Sequence, residues 1–190
     1  MLTDLTASLI CSALPASRAP AIDPASPLLF VINAASGRND SDTTRRAIEA
    51  ALSAAGRTGE LLFARPDELA HTAAHAAATA TARHSAVVAV GGDGTINSVA
   101  RAALAEGCAM GVLPQGTFNY FARTHGIPAD TAQAAQALLR FAPVPVQVGL
   151  INERVFLVNA SLGLYPELLQ DREIHMLRKI MVFAFDKLQE

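Results

Sequence analysis

Residues 86–97 read AVVAVGGDGTIN, five apolar residues that stop abruptly on Gly91, Gly92, Asp93 and Gly94. A run that short, rich in valine and ended by glycine, is the pattern of a strand buried on both faces. The same grammar recurs along the chain. LLFVIN (28–33) ends in NAASG, GELLFA (59–64) ends in Arg65 and Pro66, and MGVLP (110–114) ends in Gln115 and Gly116. Longer segments of helical period lie between these runs. DTTRRAIEAALSAAG has Asp42 as a candidate N-cap and Gly56 as its stop, and DELAHTAAHAAATATARH is expected to be capped by Asp67. A third helix is expected over 95–106, ending near Gly107, then a short one in GTFNYFARTHGI and another over 131–140. Strands that alternate with helices need long crossovers, so the sequence predicts an α/β fold on a mostly parallel sheet.

After Pro143 the grammar changes. VPVQVGLI (144–151) and RVFLVNASL are separated only by Asn152 and Glu153, which predicts a hairpin and a switch to antiparallel pairing. The expected division is an α/β domain over 27–142 and, over 143–190, the start of a second, mainly β domain that a hairpin and a helix do not complete. In the closing segment the spacing of Leu168, Ile174, Leu177, Met181 and Leu188 predicts a C-terminal helix. Residues 1–26, rich in Ala, Ser and Pro, carry no period and are expected to form a disordered tail. LTASLICSAL within them is apolar, but Asp4 and no Lys or Arg precedes it, which argues against a secretory signal.

Composition narrows the partners. A formal net charge of −2 on 190 residues, with a pI near 6.2, provides no long-range basic field for nucleic acid, so recognition of phosphate must be local. Cys11 and Cys108 stand alone, without CxxC or Cys/His spacing, which argues against a disulfide framework and structural zinc and for a reducing, cytoplasmic setting. His71 and His75 share a helix face, but HTAAH lacks the glutamate of HExxH and a third ligand, so a solvated face is expected.

Three turns at the carboxyl ends of expected strands carry the chemistry: Asn33 to Gly37 with Ser36, Gly91 to Thr95, and Gly116 to Asn119 with Thr117. Ligands of open α/β sheets collect beyond those ends, glycine lets backbone N–H groups approach a phosphate, and a helix starting after Gly94 would aim its partial positive end at the same place. Neither the P-loop GxxxxGK[ST] nor the dinucleotide-binding GxGxxG is present. Asp93 is the anomaly, because a carboxylate beside phosphate is repelled. Either Mg²⁺ bridges the two, or the carboxylate serves the hydroxyl proton that phosphoryl transfer must remove.

GGDGTIN (91–97), followed by LPQGTFNYFAR (113–123, 114 being Pro) and preceded by NAASG, resembles the diacylglycerol kinase catalytic domain family, which includes sphingosine kinases and is related to NAD kinases and phosphofructokinases. The resemblance implies a Rossmann-like, phosphofructokinase-like three-layer domain followed by the start of a β-sandwich domain, with ATP and Mg²⁺ between them and a lipid alcohol, diacylglycerol or a relative, as acceptor. By that likeness Asn33, Ser36, Gly37, Gly91, Gly92, Gly94, Thr95, Ile96, Asn97, Gly116, Thr117 and Asn119 bind the nucleotide, and Asp93 is the catalytic or Mg²⁺-linked carboxylate. VFLVNASLGLYP looks like the family's early second-domain segment. The chain departs from the family at Ser98, where many members have Glu, and at Tyr120 and Gln147, where many have Asp. Those replacements keep a catalytically inactive nucleotide-binding or regulatory fragment as an alternative, and the GGDGT element, which resembles that of NAD kinases as well, keeps an NAD kinase as a third. Arg172, Arg178 and Lys179 beside the apolar stripe of the expected last helix mark either a peripheral membrane contact or an ordinary amphipathic helix.

Overall fold

The computed structural model describes residues 20–35, 41–151, 154–157 and 176–182. In chain order the elements are β1 (Leu28–Asn33), α1 (Ser41–Ala54), β2 (Gly59–Ala64), α2 (Leu69–Ala82), β3 (Ala86–Gly91), α3 (Asp93–Glu106), β4 (Ala109–Pro114), α4 (Tyr120–Thr124), α5 (Thr131–Arg140), β5 (Val144–Ile151), β6 (Arg154–Phe156) and β7 (Met176–Val182). The strands form one sheet in the order β2-β1-β3-β4-β7-β5-β6. β2, β1, β3 and β4 run parallel, with Phe30 opposite both Leu61 and Val88, and Val90 opposite Leu113.

Every residue of β3 and β4 is buried, as their unbroken apolar runs require of central strands. β1 steps to β2 on one side, whereas β2 to β3 and β3 to β4 step the other way. Right-handed crossovers therefore put α1 on one face and α2 with α3 on the opposite face. The helices turn matching stripes inward. Thr44, Ile48, Ala51 and Leu52 of α1 are buried, as are Leu69, Ala73, Ala76, Ala77 and Ala80 of α2. A fully buried Val, Leu or Ile contributes about 1.5–3 kcal/mol, so the valines of β3 and the leucines and isoleucine of β1 dominate the core.

Several local expectations are corrected. α3 starts at Asp93 rather than beyond Gly94, with Gly92 as its extended N-cap residue, so the acid sits in a helical first turn and not in a loop. Asp67 does not cap α2: Glu68 occupies the cap position without a side-chain bond, and Asp67 pairs with Arg65 at 2.9 Å. Asp42 likewise lies inside the first turn of α1. Residues 20–26 are held in place, contrary to the expected tail: the Asp23 N–H donates to the His84 carbonyl and Ser26 Oγ to the Arg83 carbonyl.

The largest correction is at the C-terminal end, where residues 176–182 form strand β7 instead of helix. β7 pairs antiparallel with β5 from Val144 opposite Val182 to Gly149 opposite Met176, and touches β4 in parallel at Met110 opposite Val182. A weak helical spacing is outweighed there by a ladder that satisfies both strands' backbone groups and by β-branched Ile180 and Val182. The rest of that expected helix lies outside the described residues, as does most of VFLVNASLGLYP. The switch to antiparallel pairing begins at Val144, and the β5–β6 hairpin forms with Leu150 opposite Val155. No described helix is long and apolar enough to cross a membrane.

Candidate functional site

The strand order reverses between β1 and β3, which opens a crevice beyond their carboxyl ends, the place where open α/β sheets bind ligands. Asn33 closes β1 and Gly91 closes β3. Asn33 Nδ2 donates across the crevice to Thr95 Oγ1 at 3.2 Å, while its Oδ1 accepts the Ala35 N–H at 3.0 Å. Thr95 is buried and backs Gly91 so tightly that a Cβ on Gly91 would lie 2.5 Å from Thr95 Oγ1. Thr95 is thus a support of the turn.

The second turn meets the third by glycine contact. A Cβ on Gly116 would stand 2.7 Å from Gly92 Cα and 2.8 Å from Asn119 Oδ1, so only glycine fits. The Gln115 N–H donates to the Gly91 carbonyl at 2.8 Å, carrying the β3–β4 pairing one step past the strand ends. Asn119, in the left-handed region at φ 49°, folds its amide back on the loop, accepting the Gly116 N–H at 2.8 Å and donating to the Gly116 carbonyl at 2.9 Å. Its side chain is therefore committed to the loop and cannot also cap α4.

Asp93 takes that task. Its Oδ2 accepts the Tyr120 N–H at 3.2 Å and its Oδ1 the Phe121 N–H at 3.3 Å, satisfying donors that the start of a helix leaves open. The carboxylate also lies in the first turn of α3, where the helix dipole favours negative charge. At the far end of α4 the His125 ring lies against Phe121, centroids 4.5 Å apart, and burial pushes its imidazole below the ordinary pKa of 6.5.

The structure thus joins Asn33, Gly91, Gly92, Asp93, Thr95, Gly116 and Asn119 into one hydrogen-bonded and close-packed unit, with exposed Gly94 and Thr117 on the adjoining segments. Ser36 and Gly37 lie outside the described residues. Ile96 is corrected: its side chain is fully buried in the core, so it faces no ligand. Gln147 is exposed on β5 opposite Lys179 and takes no part in the bonds around Asp93. Sequence reasoning missed Gln115, whose buried Nε2 donates to Thr44 Oγ1 of α1 at 2.7 Å; an amide directly after a fully buried strand was the available signal.

The residues present fit a phosphate ligand accompanied by a cation. At Gly94 the backbone faces open space, with nothing within 4 Å of where a Cβ would stand, and Asn97 Oδ1, one turn below Asp93, is buried without a hydrogen-bond partner among the described residues. Among the described residues no group of three or more His, Cys, Asp or Glu could hold a metal by itself. His71 and His75 are both exposed on α2.

An open, mostly parallel sheet with glycine turns interlocked at its topological switch defines an α/β domain with a candidate ligand site at its carboxyl edge. The family model for the diacylglycerol kinase catalytic domain matches residues 27–151, and the chain belongs to that family. A "Diacylglycerol kinase" of Bacillus subtilis is 40% identical over 103 residues, 52% of this chain and 34% of that one. A "Probable lipid kinase YegS-like" of Klebsiella pneumoniae is 42% identical over 79 residues, 40% of this chain and 27% of that one. The crystal structure of a diacylglycerol kinase from Bacillus anthracis superposes with a TM-score of 0.61 at 25% identity, over 68% of this chain and 45% of that one. The matched stretch thus spans less than half of each of these relatives.

Proposed function

We propose that this chain is the nucleotide-binding part of an ATP-dependent lipid kinase, which transfers the γ-phosphoryl group of ATP to the hydroxyl of a lipid alcohol such as diacylglycerol. The observation that carries this reading is Asp93, a carboxylate standing where two glycine turns touch and bonded, among the described residues, only to the N–H groups of Tyr120 and Phe121. Each of its oxygens has a second lone pair free for a hydrated cation or for a proton. In transfer the lipid oxygen bonds to the γ-phosphorus, the bond from that phosphorus to the departing ADP oxygen breaks, and the hydroxyl proton leaves to a base. Gly91, Gly92, Gly94 and Gly116 would let backbone N–H groups approach the phosphates, with Thr117 and Asn97 adding polar contacts. Bound Mg²⁺ would supply neutralisation of phosphate charge. The lipid acceptor is supported by the names of the relatives.

The test is direct. Mg²⁺–ATP should raise the melting temperature of the chain, and labelled phosphate should pass from ATP to diacylglycerol; Asp93→Asn should abolish transfer. The absence of both protection and transfer would overturn the proposal. The exposed Gln147 and the tyrosine at 120 favour a second reading, a nucleotide-binding module without activity, which predicts protection by Mg²⁺–ATP and no phosphorylated lipid.

A further inference from the structure

A cavity of about 330 Å³ opens where α2 and α3 meet the β5–β6 hairpin, and no residue of the glycine turns lines it. Its walls are aliphatic: Ala74 of α2, Leu104 of α3, and Leu150 and Val155, which stand opposite each other in the hairpin. Among the described residues no aromatic ring borders it, and Arg101 is its one charged side chain, with Ser98 a turn earlier on α3. Arg101 is exposed, and no ion pair among the described residues involves it. An apolar pocket of a few hundred Å³ with one or two polar groups at its rim is the usual form of a small-molecule site. The lining selects the chemistry. Aliphatic walls without a ring suit a flexible alkyl chain better than a planar ligand, and a lone guanidinium suits an anionic head.

We propose that this cavity binds a single-chain anionic amphiphile of the fatty-acid type, its alkyl chain between Leu104 and the hairpin and its carboxylate on Arg101. A guanidinium pairs with a carboxylate through two parallel N–H donors, and the Ser98 hydroxyl is a further donor on the same helix face. Each methylene taken from water tightens binding by about fourfold, so the chain supplies the affinity and Arg101 the choice of head. The bound molecule would join α3 to the hairpin at which antiparallel pairing begins. The site lies apart from Asp93 and the inference goes beyond the kinase reading; its test needs neither ATP nor transfer.

Isothermal titration of the chain with decanoate, kept below its micelle concentration, should show one saturable site. Octanoate, two methylenes shorter, should bind about fifteenfold more weakly, and decyltrimethylammonium, of equal chain and opposite charge, should not bind there. Arg101→Gln, at an exposed position that the fold does not depend on, should weaken decanoate by about tenfold or more. Ala102→Leu, which adds aliphatic volume to the cavity wall, should abolish binding. Decanoate should also slow amide hydrogen exchange at Leu150 and Val155. A parent chain that takes up no decanoate overturns the site, as does equal binding of the cationic amphiphile, which marks detergent-like adsorption. Decanoate affinity unchanged in Arg101→Gln, or exchange slowed only outside the hairpin and α3, overturns it too. Should Ala102→Leu fail to fold, Arg101→Gln and the exchange pattern decide.

Discussion

Oδ1 of Asp93 accepts the backbone N–H of Phe121 at 3.3 Å, so the first turn of α3 caps the first turn of α4 across the two glycine loops. The residue proposed for phosphoryl transfer is thereby also a structural tie. Asp93→Ala should cost about 1–2 kcal/mol of stability, the range for a lost helix cap. Asp93→Asn keeps one acceptor oxygen and should cost less, yet both variants should lose protection by Mg²⁺–ATP. Urea unfolding monitored by circular dichroism, with and without Mg²⁺–ATP, separates the two roles; an Asn variant that retains full protection removes the carboxylate from the nucleotide site.

The glycines of the cradle should not behave alike. A Cβ at Gly116 would meet backbone and Asn119 within 2.8 Å, so Gly116→Ala should destabilise and separate the two loops. At Gly94 a Cβ would meet nothing within 4 Å, and alanine is the better helix former by about 0.5–1 kcal/mol. Gly94→Ala should therefore stabilise the ligand-free chain while weakening Mg²⁺–ATP binding, because the added methyl occupies space the phosphates approach. Calorimetric melting paired with nucleotide titration checks both signs, and unchanged affinity in Gly94→Ala would place the phosphates elsewhere.

His125 gives the fold a predictable response to acid. Burial lowers its pKa in the folded chain below the ordinary 6.5, so the unfolded chain binds the proton more readily. Its contribution is fully present above pH 6.5 and is lost as pH falls through the folded-state pKa. Melting temperatures measured from pH 7.5 to pH 5 should fall less steeply for His125→Gln than for the parent chain. Parallel curves would show that another group sets the acid response.

The strands and the glycine turns were legible because their signals are local. AVVAV before Gly91 can be little other than a buried strand, and LLFVIN and GELLFA occupy the positions their patterns predict. What escaped depends on partners distant in sequence. Asp93 reads as a loop residue until Tyr120 and Phe121 are brought to it, and Asp67 reads as a cap until Arg65 claims it. MLRKIMV reads as helix because the strand that pairs with it, VPVQVG, lies some thirty residues earlier. Ile96 sits within GGDGTIN, yet the helix turns it into the core; a motif shows which residues occur together and not which way each faces.

The buried bond from Gln115 Nε2 to Thr44 Oγ1, at 2.7 Å, ties α1 to the loop that begins the third turn. Both residues are almost completely buried, so neither partner can turn to water if the other is removed. Thr44→Val, close to isosteric, should strand the Gln115 amide and cost about 1–3 kcal/mol, the penalty of an unsatisfied buried donor. Replacing both, as Thr44→Val with Gln115→Leu, removes donor and acceptor together and should cost less than the sum of the single changes. Because Gln115 also donates its backbone N–H to Gly91, the single Thr44 variant should loosen the glycine contact and weaken Mg²⁺–ATP protection beyond its effect on stability. Urea unfolding of the four forms gives the coupling energy, and additive single and double variants would show that the bond does not hold the loop.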